Sequence, residues 1–142
     1  MKNKILVVGD LILDEYIYGN VERISQEAAI PIVNINSKNS LKSVLGGAAN
    51  VASNIKSLGS DVKLIGIIGN CEDSKKLKKL LKNKKINNSL LTLKKFNPSK
   101  KTRILNSHNH IIRLDKDPLN FTYDQKLIEN KIKSNLKNTK II

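Results

Sequence analysis

Residues 46–69 read GGAANVASNIKSLGSDVKLIGIIG, and the change of period inside this stretch decides the fold class. Ala48, Val51, Ala52, Ile55 and Leu58 recur at helical spacing, and Gly59 stands where a helix C-cap is expected, so the spacing predicts a helix starting on Gly46-Gly47. Val62 to Ile68 is then a continuous apolar run, broken by Lys63 and Gly66 and ended by Gly69, the pattern of a buried strand. Ile5-Leu6-Val7-Val8, closed by Gly9-Asp10, is an earlier run of the same kind. Strand, helix and strand in succession predict a parallel α/β sheet.

Outward from this unit the signals weaken. Tyr16-Ile17-Tyr18 and Ile30 to Ile35 read as shorter strands with one wet face, peripheral to the core. Asp73 or Ser74 is expected to cap a Lys-rich helix whose Leu77, Leu80 and Leu81 form a narrow apolar stripe, with its lysines, Lys76 among them, pointing into solvent. Leu90 to Leu93 is a candidate strand, and Arg103 to Leu114 a hairpin turning through Ser107-His108-Asn109-His110. Thr122 as N-cap and Gln125 at the third helical position match a capping box before a helix carrying Leu127, Ile128, Ile132 and Leu136. Lys140-Ile141-Ile142 reads as the opening of another strand, shorter than strands usually are, so the chain is expected to be part of a larger design.

A length of 142 residues supplies about one domain. Its 26 Lys and Arg against 12 Asp and Glu give a net charge of +14, which raises nucleic acid as a partner. The cations argue against it: 23 are Lys and 3 are Arg, there is no Trp, and aromatics make up 4%. Nucleic-acid readers use guanidinium forks and stacking rings, so most of the charge is read as solvated lysine. The single Cys71 forms no internal disulfide and has no metal-ligand spacing, which fits a reduced, cytoplasmic compartment. No stretch approaches the roughly 18 apolar residues of a membrane span. His108 and His110, two apart, lack an evident third ligand, so no metal site is expected.

Gly46-Gly47 at a loop-to-helix junction admits two explanations, close approach of the backbone to a ligand or a tight, well-packed turn. It is not a dinucleotide-binding fingerprint, and no P-loop occurs in the sequence. Asp10 follows the first core strand at its carboxyl end, where open α/β sheets bind ligands, or else serves the turn alone.

Three segments together carry a family pattern: Val8-Gly9-Asp10-Leu11-Ile12-Leu13-Asp14, Arg23-Ile24-Ser25-Gln26-Glu27-Ala28, and Gly46-Gly47-Ala48-Ala49-Asn50-Val51-Ala52, with Gly59 and Gly69 downstream. They resemble the ribokinase-like (PfkB) carbohydrate kinases. Lys101-Thr102-Arg103-Ile104-Leu105 and Ile112-Arg113-Leu114-Asp115 make the chain most similar, within that family, to the heptose-7-phosphate kinases. Gln26 and Ala29 depart from it where proline is usual, and His108 where a basic residue is common.

The resemblance implies a three-layer α/β core with a parallel central sheet and a small β lid, the lid strands falling at about 12–45 and 100–115, with only the N-terminal half of the fold in this chain. It implies a sugar phosphate held by Asp14, Gly46, Gly47, Asn50, Lys101, Arg103 and Arg113. Asp14 would accept bonds from sugar hydroxyls, where its alternative is a turn residue after Leu13; Asn50 offers a donor and an acceptor, or simply caps its helix. Lys101, Arg103 and Arg113 would supply cations near a phosphate. ATP and magnesium are the implied cofactors, yet the family's Gly-Ala-Gly-Asp motif, which brings the anion hole and the catalytic base, does not occur in this sequence. The expectation is therefore the sugar-binding half of a heptose-7-phosphate kinase for ADP-heptose and lipopolysaccharide core synthesis, inactive without a separate C-terminal half and able to dimerise through its lid strands. The alternative is a degenerate remnant that binds sugar or dimerises without catalysis.

Overall fold

The computed structural model describes residues 4–35, 40–119, 121–136 and 139. Strands β1 (Lys4–Val8), β5 (Asp61–Ile68) and β6 (Asn87–Thr92) form a parallel sheet in the order β1-β5-β6. In register, Val7 faces Leu64 and Gly66 faces Leu90. Alternation along β5 sends Val62, Leu64 and Ile68 to one face, where Ala49 and Ala52 of α1 (Gly47–Ser57) and Leu77 and Leu81 of α2 (Glu72–Asn83) complete the core. Leu6 and Ile65 are buried on the other face, along which α3 (Gln125–Leu136) lies, Tyr123 and Ile128 lining a hollow together with Gly66 and Ile67. Helices on both faces of a parallel sheet are the expected layers, and no described helix is long and apolar enough to cross a membrane.

A second sheet has five strands. Its central strand β2 (Leu11–Ile24) pairs in parallel with β7 (Ser99–Asn106) on one edge and antiparallel with β4 (Leu41–Gly46) and β3 (Pro31–Asn34) along the other; β8 (Asn109–Lys116) extends it beyond β7. The short, peripheral strand expected at Tyr16 to Tyr18 is thus part of a 14-residue strand that begins inside the core. Leu11 and Leu13, 2% and 0% exposed, join the α1 and α2 cluster, so Asp14 is a strand residue and not a turn residue.

Other local expectations are corrected by where the helices and turns begin. α2 starts at Glu72 with Cys71 as N-cap, so neither Asp73 nor Ser74 caps it. Ser74 instead lies buried in the first turn, its Oγ accepting the Gly69 N–H at 3.0 Å. α3 starts at Gln125, too late for Thr122 to cap it; the Asp124 carboxylate accepts the Lys126 N–H at 2.9 Å. The β7–β8 turn is Ser107-His108, with Ser107 at φ 55°, and His110 already pairs with Leu105 inside β8. The strand expected at Lys140-Ile141-Ile142 lies outside the described residues.

The second sheet is tied to the core by one buried carboxylate. Glu15, 3% exposed, follows Leu11 and Leu13 onto the core-facing side of β2. It receives Lys76 Nζ of α2 at 2.8 Å and Lys100 Nζ of β7 at 2.7 Å, while Ser43 Oγ of β4 donates to it at 3.3 Å. Lys100 also reaches Asp73 at 3.5 Å. Lys76 is therefore not one of the solvated lysines of α2. Burial alone would push the Glu15 carboxyl up, but bonds and charge from Lys100 and Lys76 outweigh it and hold the group below the ordinary carboxylate range. Burial likewise acts against the Lys100 ammonium, and its bond to Glu15 together with the Asp73 charge raises it nonetheless.

Glu15→Gln is expected to lower stability near neutral pH by about 2 kcal/mol, the scale of hydrogen bonds to a charged group. A carboxyl depressed in the folded state contributes stability that is present above its ordinary range and lost as pH falls through its folded-state value. The gap between variant and wild type should therefore close in acid, which urea unfolding across that pH range measures.

Candidate functional site

The face of β2 turned away from the core carries Ile12, Asp14 and Tyr16, and register brings a charged set across it. On β7, Lys101 pairs with Asp14 and Arg103 with Tyr16. One strand further, Asp115 pairs with Lys101 and Arg113 with Arg103. On the opposite edge Gly46 pairs with Ile12. Paired residues share a face, so four strands deliver these groups to one surface.

Arg103 reaches diagonally to Asp14, Nη1 to Oδ1 at 2.5 Å, with the two side chains 19% and 17% exposed. Its guanidinium also lies over the Tyr16 ring, 5.2 Å from the centroid. The bond to Asp14 raises the Arg103 pKa against the opposing effect of burial. Arg113 forms a more exposed pair with Asp115 at 3.0 Å. Lys101 stands between these pairs in register, half-buried, and enters no ion pair among the described residues.

Both glycines answer to close approach. A Cβ on Gly46 would collide with the Asp14 carboxylate, so this glycine makes the room in which Asp14 lies. Gly47 has φ 57°, and a Cβ there would meet the Asp10 carbonyl at 2.5 Å; the same carbonyl accepts the Ala48 N–H at 2.9 Å. The turn after β1 is thereby fastened to the start of α1. The Asp10 side chain is exposed at the carboxyl end of β1, beside a small hollow of about 110 Å³.

Of the residues expected at the site, strand pairing assembles Asp14, Gly46, Lys101, Arg103 and Arg113 on one surface. Asn50 goes elsewhere: exposed on α1, it lines a hollow of about 510 Å³ along the outer edge of β4 with Lys42, Ser53, Asn54, Leu80 and Lys84, and neither Asp14 nor Arg103 lines that hollow. Tyr16 and Asp115 were missed. The two-residue period of β2 and β8 was the signal that would have found them, since each lies two residues from a residue already singled out. His108 and His110 are both exposed, and no group of three His, Cys, Asp or Glu able to hold a metal occurs among the described residues.

Comparison with known proteins adds a family. Residues 2–142 match the model of the pfkB family of carbohydrate kinases. The Bifunctional protein HldE of Campylobacter concisus is 44% identical over 114 residues, covering 80% of this chain and 24% of that protein. The Bifunctional protein HldE of Aliarcobacter butzleri is 39% identical over 145 residues, covering 99% and 30%. The chain thus spans under a third of the length of these curated relatives. Among solved structures, a possible 1-phosphofructokinase from Thermotoga maritima superposes with a TM-score of 0.78 at 18% identity, over 98% of this chain and 43% of that one. The nucleoside kinase of Methanocaldococcus jannaschii, an archaeal member of the ribokinase family, gives 0.59 at 23% identity, over 98% and 51%. The ribokinase-like α/β fold expected from the sequence is borne out.

Gly46→Ala should push the Asp14 carboxylate off its position and weaken its bond to Arg103, at a cost of about 1 kcal/mol, the scale of one hydrogen bond. Thermal unfolding measures this, and a variant as stable as the wild type would contradict the crowding described.

Proposed function

The chain belongs to the pfkB family of carbohydrate kinases, and we propose that it supplies the sugar-binding part of a heptose-7-phosphate kinase, an early step towards ADP-heptose for the lipopolysaccharide core. The observation that carries this reading is the Asp14–Arg103 pair, held on paired strands beside Lys101 and Arg113. Its likeness to proteins named HldE supports the choice of sugar.

In this reading the five-stranded sheet is the lid over the sugar. Ionised Asp14 accepts hydrogen bonds from sugar hydroxyls, and Gly46 leaves the backbone near it uncovered. Arg103, Lys101 and Arg113 form a cationic row for the phosphate the substrate already carries. Because Arg103 is bonded to Asp14, substrate either shares the pair or exchanges it for its own phosphate and hydroxyls. Asn50, which lines a different hollow from Asp14 and Arg103, is left out of these sugar contacts.

Family kinases take their phosphoryl group from ATP with magnesium. The family's Gly-Ala-Gly-Asp motif, which brings the anion hole and the catalytic base, does not occur in this sequence. No phosphoryl-transfer step is therefore assigned to this chain. Its part is to bind and orient the acceptor, which is the larger share of what phosphoryl transfer asks of a protein besides charge stabilisation.

Calorimetric titration of these 142 residues with heptose 7-phosphate should show binding that Arg103→Ala weakens about tenfold or more, the loss of a hydrogen bond between charged groups. With ATP added, consumption should stay at background. Failure to bind heptose 7-phosphate in preference to simple hexose phosphates would overturn the substrate, and robust ATP turnover would overturn the division of labour.

A further inference from the structure

We propose that Glu15 is a positioning residue for the Asp14–Arg103 site, acting through the backbone of β2 and β7 from the opposite side of the sheet. The proposal deepens the sugar-site reading above and rests on it for its ligand. Glu15 lies between Asp14 and Tyr16, so its side chain points to the core face while theirs point to the site. Its two cations come from different bodies: Lys76 from α2, and Lys100 from β7, the residue before Lys101 and three before Arg103. Lys100 pairs in register with Leu13 and reaches Glu15 diagonally, just as Arg103 pairs with Tyr16 and reaches Asp14 diagonally. The same two strands are therefore cross-linked twice, once on each face, within three residues of β7. The back link is buried and fastened to a helix; the front link is partly open to solvent. A ligand that takes Arg103 from Asp14 removes the front link, and the back link, added to the backbone ladder from Ile12 and Ser99 to Gly19 and Asn106, holds the side-chain register of β2 on β7 while that happens. Side chains that hold a binding group in geometry from behind govern affinity without touching the ligand.

The chain has 3 arginines, so its Arg Nε–Hε spectrum contains few signals, and the Arg103 signal reports the setting of the guanidinium whose Nη1 bonds Asp14, without any ligand. In Glu15→Gln the Arg103 signal should move while that of Arg23 stays, and heptose 7-phosphate affinity should fall about tenfold. Val62→Ala, a core truncation on β5 that lowers stability while leaving every residue of β2 and β7 unchanged, should leave the Arg103 signal where it is. An unmoved Arg103 signal in Glu15→Gln overturns the proposal, as does an equal movement in Val62→Ala. If Glu15→Gln does not fold, Lys76→Met, which removes one of the two cations, is judged by the same criteria. If the wild type does not bind heptose 7-phosphate while Glu15→Gln still moves the Arg103 signal, the substrate reading fails and the mechanical link stands.

Discussion

The structure depends on one constraint, the two-residue alternation of a single strand that belongs to both halves of the molecule. β2 begins with Leu11 and Leu13 packed into the core and continues outward as the middle of the second sheet. Because every second side chain must turn inward, Leu11, Leu13 and Glu15 are committed to the core side and Ile12, Asp14 and Tyr16 to the other. A slip of one residue would bury Asp14 and expose two leucines, so hydrophobic burial fixes which carboxylate faces outward. The charged surface is in this sense a by-product of packing two leucines.

Two adjacent carboxylates accordingly have different environments and different work. Asp14 meets a guanidinium at a partly open face, where its bond can be exchanged. Glu15 is enclosed and holds two lysines and a serine, so burial rather than exchange with a ligand sets its work. A buried charge of this kind is stable only with its partners in place, which makes Lys76 and Lys100 structural residues in a chain whose other lysines are mostly surface.

Periodicity made the parallel sheet, α1, the apolar stripe of α2 and the β7–β8 hairpin legible before any coordinates. It failed at β2, since Asp14-Glu15 and Gly19-Asn20 look like loop chemistry unless the inward leucines are already known. Helix starts were misplaced by two to three residues because Ser74, inside the first turn of α2, and Thr122, ahead of the start of α3, are capping types that do not cap these helices. Scarcity helped with arginine: among only 3 of them, Arg103 and Arg113 both stand on the charged face. Abundance hid Lys76 and Lys100, since nothing local separates a lysine that reaches a buried carboxylate from its solvated neighbours.

The pairing of β2 with β7 also has a consequence in time. Asp14 and Arg103 are separated by 89 residues, and the strands that bear them run parallel, so no short turn can bring them together. Closing so long a loop is entropically slow compared with forming α1 or the β7–β8 hairpin, which are local. During synthesis, β2 can align with β3 and β4 well before β7 has been made. The charged face is thus among the last parts of this chain to exist, and until β7 arrives the Glu15 carboxylate has neither Lys100 nor the cover of the finished sheet.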